Sequence, residues 1–206
     1  MGFNQKKLIS LARSAVFMVI QTIIVIMIAL FIQSKTFQPV VVEGPSMEPT
    51  FFEGDRSIVK TWDRKPEVND VIIFNAKDVD PNVTDKSYYV KRVIGTPGDS
   101  IRVEDGHIYV NDKLVLQPYL KDNPEHFIDG GYERTTGSGS KWGDKNWDLS
   151  TISKDNESWK PEHRNTSVVP EGHYFVLGDH RSRSIDSRSF GYIPQESILG
   201  TVIGDK

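Results

Sequence analysis

The hydrophobic pattern of the chain changes once, close to residue 33. From Ala15 to Ile32 it reads AVFMVIQTIIVIMIALFI, uncharged and interrupted by polar residues only at Gln21 and Thr22. Eighteen helical residues rise roughly 27 Å, close to the ~30 Å hydrocarbon core of a bilayer. Leu8, Ile9, Leu11 and Ala12 ahead of the run leave room for tilt. The pattern predicts a transmembrane helix over residues 15–32. A cleaved secretory signal is one alternative, but its apolar stretch runs to roughly 7–15 residues and ends in a small-x-small cleavage site. Phe31-Ile32-Gln33-Ser34-Lys35 offers no such site. A buried core helix is the other, and it would carry a polar stripe that this run lacks.

After a short link (33–38) the period becomes that of extended chain. β-rich runs at 39–43, 56–61, 70–74, 88–94, 100–104, 107–110, 113–116, 174–177 and 198–203 are separated by turn signals. Gly95-Thr96-Pro97-Gly98, Glu104-Asp105-Gly106 and Asn111-Asp112 are the plainest, the last two fitting tight hairpins. No helical period of useful length follows residue 38. The expected fold class is therefore mainly β: an antiparallel β-sheet domain over 33–206, preceded by one transmembrane helix. Residues 117–167 break the rhythm with polar, Trp-containing stretches. They read as an insertion or cap on the β core, ordered in part by Trp142, Trp147 and Trp159, and loops of this length are usually functional or mobile.

Charge adds an orientation. The 206 residues carry 25 Lys and Arg against 28 Asp and Glu, a net −3. The first 35 hold Lys6, Lys7, Arg13 and Lys35 and no acid, so their +4 leaves −7 for the rest. Three of those four cations precede the apolar run. The positive-inside rule then sets residues 1–14 in the cytoplasm and everything after Ile32 outside. The near-balanced charge does not suggest a nucleic-acid partner, and an aromatic content of 10% argues against a disordered acidic tail. With no cysteine in the chain, disulfides, cysteine nucleophiles and thiolate metal sites are excluded.

Candidate chemistry comes from three segments. Ser46 lies in Gly44-Pro45-Ser46-Met47-Glu48-Pro49, a rigid turn that presents its hydroxyl; taken alone, such a serine is usually only a turn residue. Neither a Gly-x-Ser-x-Gly elbow nor a Ser-x-x-Lys motif surrounds it. His107, His126, His163, His173 and His180 are scattered and read as solvated, with no metal-ligand spacing among them. Lys91 sits within an otherwise apolar strand, where alternation sends Tyr89, Lys91 and Val93 to one face and Val90, Arg92 and Ile94 to the other. A lysine facing apolar surroundings loses pKa by desolvation and can take a proton from a serine. The alternative is an exposed lysine guarding an edge strand. The third segment, 178–191, packs two Asp, three Arg and four Ser into fourteen residues, a composition suited to an ion-paired loop around a buried site.

Taken together these segments resemble the bacterial type I signal peptidases, specifically the single-anchor kind found in Gram-positive bacteria. Four blocks match in order behind the anchor: Ser46-Met47-Glu48-Pro49-Thr50, Gly54-Asp55 with the strand after it, Lys91-Arg92-Val93-Ile94-Gly95-Thr96-Pro97-Gly98-Asp99, and the 178–191 segment. The resemblance implies that Ser46 is the nucleophile and Lys91 the general base. It makes Ser184 the serine that hydrogen-bonds the lysine amine, and Asp186, Arg188 and Arg92 the ion-paired groups bracing the site. It further implies no cofactor and no metal, preprotein substrates cut after Ala-x-Ala-type sequences, and a membrane lipid surface as partner. Oligomeric state is left open. Two positions depart from the family pattern: His180 stands where Asn is common, and Gly44 stands where some members carry a serine that assists the oxyanion. The fourteen residues between Ile32 and Ser46 reach at most about 45–50 Å, which would keep the site near the bilayer. Val40–Val42, Phe51 and Phe52 are then candidates for an apolar surface meeting lipid or substrate. Two other classes stay open at this level: a self-cleaving repressor-type Ser-Lys peptidase and a non-catalytic anchored β domain.

Overall fold

The structure, a computed structural model, describes residues 2–105, 107–120, 146–154, 156–181 and 183–204. It divides into two compact units, Met1–Gln38 and Pro39–Lys206. The first is dominated by a single helix, α1 (Gly2–Thr36), within which Lys7–Gln33 is long and apolar enough to cross a membrane. The helix outruns the predicted 15–32 because helix propensity, unlike hydrophobicity, does not change at those points. No Gly or Pro occurs between residues 3 and 36. Thr22, a polar interruption of the apolar run, donates its hydroxyl to the Met18 carbonyl at 2.9 Å and so needs no partner outside the helix.

The second unit is built on two antiparallel sheets. The larger takes β1 (Phe37–Val41), β2 (Arg56–Lys60), β3 (Val71–Asn75), β4 (Tyr88–Gly95), β9 (His173–Leu177), β10 (Ile193–Pro194) and β11 (Ile198–Ile203), in the order β1-β2-β11-β3-β4-β9-β10. The smaller takes β5 (Ile101–Glu104), β6 (His107–Val110), β7 (Lys113–Leu114) and β8 (Trp147–Asp148), in the order β7-β6-β5-β8. The antiparallel β domain expected from the sequence is thus present, with strand ends displaced by one or two residues. β8 and β10 are too short for alternation to reveal them, as are the helices α2 (Leu149–Lys154) and α3 (Ser187–Phe190).

Three apolar clusters hold the sheets. Ile72, Phe74, Val93, Tyr174, Val176, Phe190 and Ile193 form one, and Val42, Met47, Phe51, Val59, Val71, Ile73 and Val202 another. The third joins the two sheets through Ile94, Ile101, Ile108, Trp147, Leu149, Trp159, Phe175, Leu177 and Tyr192. Strands β3, β4 and β9 give alternate residues to different clusters, so both faces are covered. β4 consequently lies between β3 and β9 and is no edge strand, which removes the reading of Lys91 as an exposed edge guard. Trp147 and Trp159 are buried members of the core, with Trp159 packed edge-on to Tyr192 at 5.0 Å. The described part of the 117–167 stretch therefore contributes to the core through Trp147, Leu149, Ile152 and Trp159; Trp142 and His126 lie outside the described residues.

Candidate active site

The turn between β1 and β2 carries Ser46. It closes by backbone bonds from Val42 N to Asp55 O (2.8 Å) and from Gly54 N to Val42 O (2.9 Å), and is rooted by the buried side chains of Met47 and Phe51. Gly44 enters it at φ +75°, a left-handed conformation that a serine there would adopt only under strain. Ser46 stays half-buried with its hydroxyl presented. Among the described residues its backbone N–H has no hydrogen-bond acceptor, which leaves a donor beside the hydroxyl.

Lys91 reaches the same point from β4. Its Nζ donates to Ser46 Oγ at 2.9 Å and to the Val90 carbonyl at 2.8 Å. Only 3% of the residue is exposed, and the ring of Tyr89 lies 5.2 Å away. Burial drives the amine down from its ordinary value to about 8, against the pull of Asp186 and Asp179, with Arg188 assisting. Arg92 is just as buried, although alternation sends it to the opposite face. It holds Asp179 through both carboxylate oxygens (Nε to Oδ1 2.9 Å, Nη2 to Oδ2 2.7 Å), donates to the Asn69 carbonyl at 2.7 Å and stacks on the Tyr119 ring at 3.7 Å. A pair so enclosed is sustained by its complete set of partners.

Asp186 and Arg188 form a second enclosed pair. Asp186 caps α3 and receives Arg188 Nε and Nη2, each at 2.8 Å, and the Gly178 N–H at 3.1 Å. Burial alone would raise its pKa, but Arg188 and these hydrogen bonds outweigh burial and hold it below the usual carboxylate range. Arg188 also donates to the Arg181 carbonyl at 2.7 Å, while Asn156 donates to the Arg188 carbonyl at 2.7 Å, so the 146–167 region supports the site from behind. Ser184 departs from expectation. It is fully buried with its hydroxyl against the Asp186 carboxylate, which it helps hold low, while Lys91 turns its remaining bond to the Val90 carbonyl. The Ser184 hydroxyl lies where a side chain on Gly178 would be: a Cβ there would come within 2.1 Å of Ser184 Oγ and 2.5 Å of the Ser46 carbonyl oxygen.

The structure thus brings Ser46 and Lys91 into contact and sets the Arg92 and Asp186–Arg188 pairs beside them. Sequence reasoning missed Asp179, Asn69, Tyr119, Thr50 and Glu48. Glu48, Thr50 and Asp179 lie within the blocks that carry the family resemblance, which was their only signal; Asn69 and Tyr119 gave none. Two expectations need correction. His163 and His180 are buried rather than solvated; His163 sits against the rings of His173 (4.7 Å) and Tyr192 (5.4 Å), and burial followed by His173 lowers its pKa. Val42 and Phe51 belong to the core, which leaves Val41 and Phe52 as exposed members of the proposed apolar surface. Among the described residues, no three His, Asp or Glu side chains converge as metal ligands.

Comparison with known proteins places this site in context. The family described as signal peptidase, peptidase S26 matches residues 15–204. A signal peptidase I of Bacillus licheniformis is 35% identical over 183 residues, covering 87% of this chain and 81% of that one. Signal peptidase IB of Staphylococcus aureus is 35% identical over 189 residues, covering 88% and 84%. A crystal structure of a signal peptidase I from Enterococcus faecalis V583 aligns with 66% of this chain and 96% of that chain at 29% identity, TM-score 0.47. With one third identity sustained over most of both sequences, this chain belongs to the signal peptidase family, peptidase S26, and is a membrane protein and serine peptidase that removes signal peptides.

Proposed function

We propose that catalysis runs through a Ser46–Lys91 dyad, that the enzyme cuts preproteins after Ala-x-Ala-type sequences, and that residues 33–206 work on the outer side of the cell membrane with residues 1–14 in the cytoplasm. The observation that carries the dyad is the 2.9 Å contact between Lys91 Nζ and Ser46 Oγ in a water-poor setting. Neutral Lys91 takes the Ser46 proton as the hydroxyl attacks the scissile carbonyl, and the free Ser46 N–H is placed to receive the developing oxyanion. The tetrahedral adduct collapses with Lys91 protonating the leaving amine. Neutral Lys91 then takes a proton from the water that attacks the acyl-enzyme, and returns it to the Ser46 oxygen as the acid product leaves. Asp186–Arg188 and Asp179–Arg92 set the field around the amine. In this reading Ser184 orients the amine from beside Asp186.

Support for a lipid-facing surface is compositional and geometric: Val41, Phe52, Trp62 and the cross-strand pair Ile58–Ile203 are all exposed large hydrophobics of the outer unit. The orientation follows from the cations ahead of the apolar run. The decisive experiment is cleavage of a radiolabelled preprotein in detergent by the unaltered enzyme, Ser46→Ala and Lys91→Met, with folding checked by circular dichroism. Two folded, inactive variants are expected. Full cleavage by folded Lys91→Met would move the base elsewhere.

A further inference from the structure

We propose that His180 is a positioning residue for the nucleophile, clamping the Ser46 turn by its backbone and, through Glu48, by its ring. The inference rests on the reading of Ser46 as nucleophile. The turn has no regular secondary structure of its own, yet two consecutive residues of the segment after β9 grip it at alternate positions. The His180 N–H donates to the Ser46 carbonyl at 3.0 Å. Two residues on, the Glu48 carboxylate lies 3.3 Å from His180 Nδ1. Two residues further, Thr50 donates its hydroxyl to Asp179. Asp179 in turn holds Arg92, the residue after Lys91. The Asp179–His180 pair therefore links the nucleophile turn to the strand that carries the base.

Within this link the Glu48–His180 contact stands apart. The other two attachments use a backbone group or a carboxylate enclosed in an ion pair, whereas Glu48 retains 27% side-chain exposure and His180 11%. At 3.3 Å and without hydrogen-bond geometry at Nδ1, the contact is weaker than a charge-assisted bond, so its use lies in holding the two side chains side by side more than in adding stability. It holds the turn two residues past the nucleophile, and with the N–H bond to the Ser46 carbonyl it restrains the peptide between them. Placement errors of about 1 Å at a reacting atom cost up to ~100-fold in rate, so a modest contact here has a large lever.

The test uses the full chain in detergent, a radiolabelled preprotein cut at an Ala-x-Ala site, and steady-state kinetics against pH. His180→Ala and Glu48→Ala are each expected to lower kcat roughly 10-fold, with KM and the midpoint of the acid limb unmoved, because the turn and not the lysine is disturbed. The double variant should be no slower than the worse single one. His180→Asn, whose Nδ2 lies as many bonds from Cβ as the histidine Nδ1, should recover most of the rate, and His180→Gln should not. Losses that multiply in the double variant, or single variants with unchanged kcat, overturn the proposal. Should His180→Ala fail to fold, Asn and Gln are compared at position 180 with and without Glu48→Ala. An Asn advantage present only with Glu48 supports the clamp, and one that persists without Glu48 overturns it. A Ser46→Ala control separates the two readings, since cleavage by that variant would sink the nucleophile assignment itself.

Discussion

Replacing Lys91 by Met should abolish cleavage and at the same time make the β-sheet unit more stable near neutral pH. The amine is held at about 8 in the folded chain against an ordinary 10.5. Because the folded value is the lower one, the unfolded chain binds more protons between those two pH values, and wild-type stability rises as pH climbs through that window. Below it the buried ammonium costs roughly 3 kcal/mol relative to a neutral side chain. Methionine removes that cost and fills a similar volume, but gives up the bonds to Ser46 Oγ and the Val90 carbonyl, worth about 1 kcal/mol each. The net expectation is a gain of about 1 kcal/mol at pH 7, or a Tm higher by roughly 2–4 °C for a unit of this size. Urea unfolding in detergent, followed by tryptophan fluorescence at pH 7, 9 and 10.5, would read it, since Trp147 and Trp159 are both buried. The advantage should shrink with rising pH and vanish or reverse by 10.5. A Lys91→Met protein that is less stable than wild type at pH 7 would refute the reasoning, because the lysine would then be a net stabilising ion-pair partner and no desolvated base.

Further outcomes follow from the same geometry. The acid limb of kcat/KM should have unit slope and a midpoint near 8, giving a rise of roughly tenfold from pH 7 to 9; a midpoint near 10 in a pH–rate profile would deny the desolvation of Lys91. Asp179→Ala strands the Arg92 guanidinium in a buried place and should cost roughly 3–5 kcal/mol in chemical denaturation. Gly178→Ala should remove activity while leaving the far sheet folded, since its methyl group would fall on Ser184 Oγ and the Ser46 carbonyl; near-native cleavage rates would show that the turn can give way. Trp159→Ala should destabilise by roughly 3–5 kcal/mol in the same unfolding assay, as a core residue of both sheets and not part of a surface cap.

The sequence alone determined what local pattern and order along the chain can encode. An uncharged run of eighteen residues can form a membrane-spanning helix wherever it stands. Strands long enough to alternate, from β2 to β11, were legible because β-branched and aromatic residues fall between explicit turns. Ser46, Lys91, Arg92, Asp186 and Arg188 were singled out for another reason, their place in short blocks that resemble a known family. What the tertiary structure decided is everything that depends on which residues meet across long separations. Burial of both faces of β4 encloses Lys91 and Arg92 together, a result alternation cannot give because it assigns faces without saying what covers them. The stretch that holds Trp147 and Trp159 reads as an insertion on the β core because most of its residues are polar, and only the packing of β8 and Trp159 against Phe175 and Tyr192 makes these two tryptophans core. Asp179, Thr50, Asn69 and Tyr119 surround one guanidinium from four separate parts of the chain, and His180 meets Glu48 across 132 residues. Such partners share no period and no spacing. Their conjunction exists only once the hydrophobic clusters have folded the strands that carry them into contact.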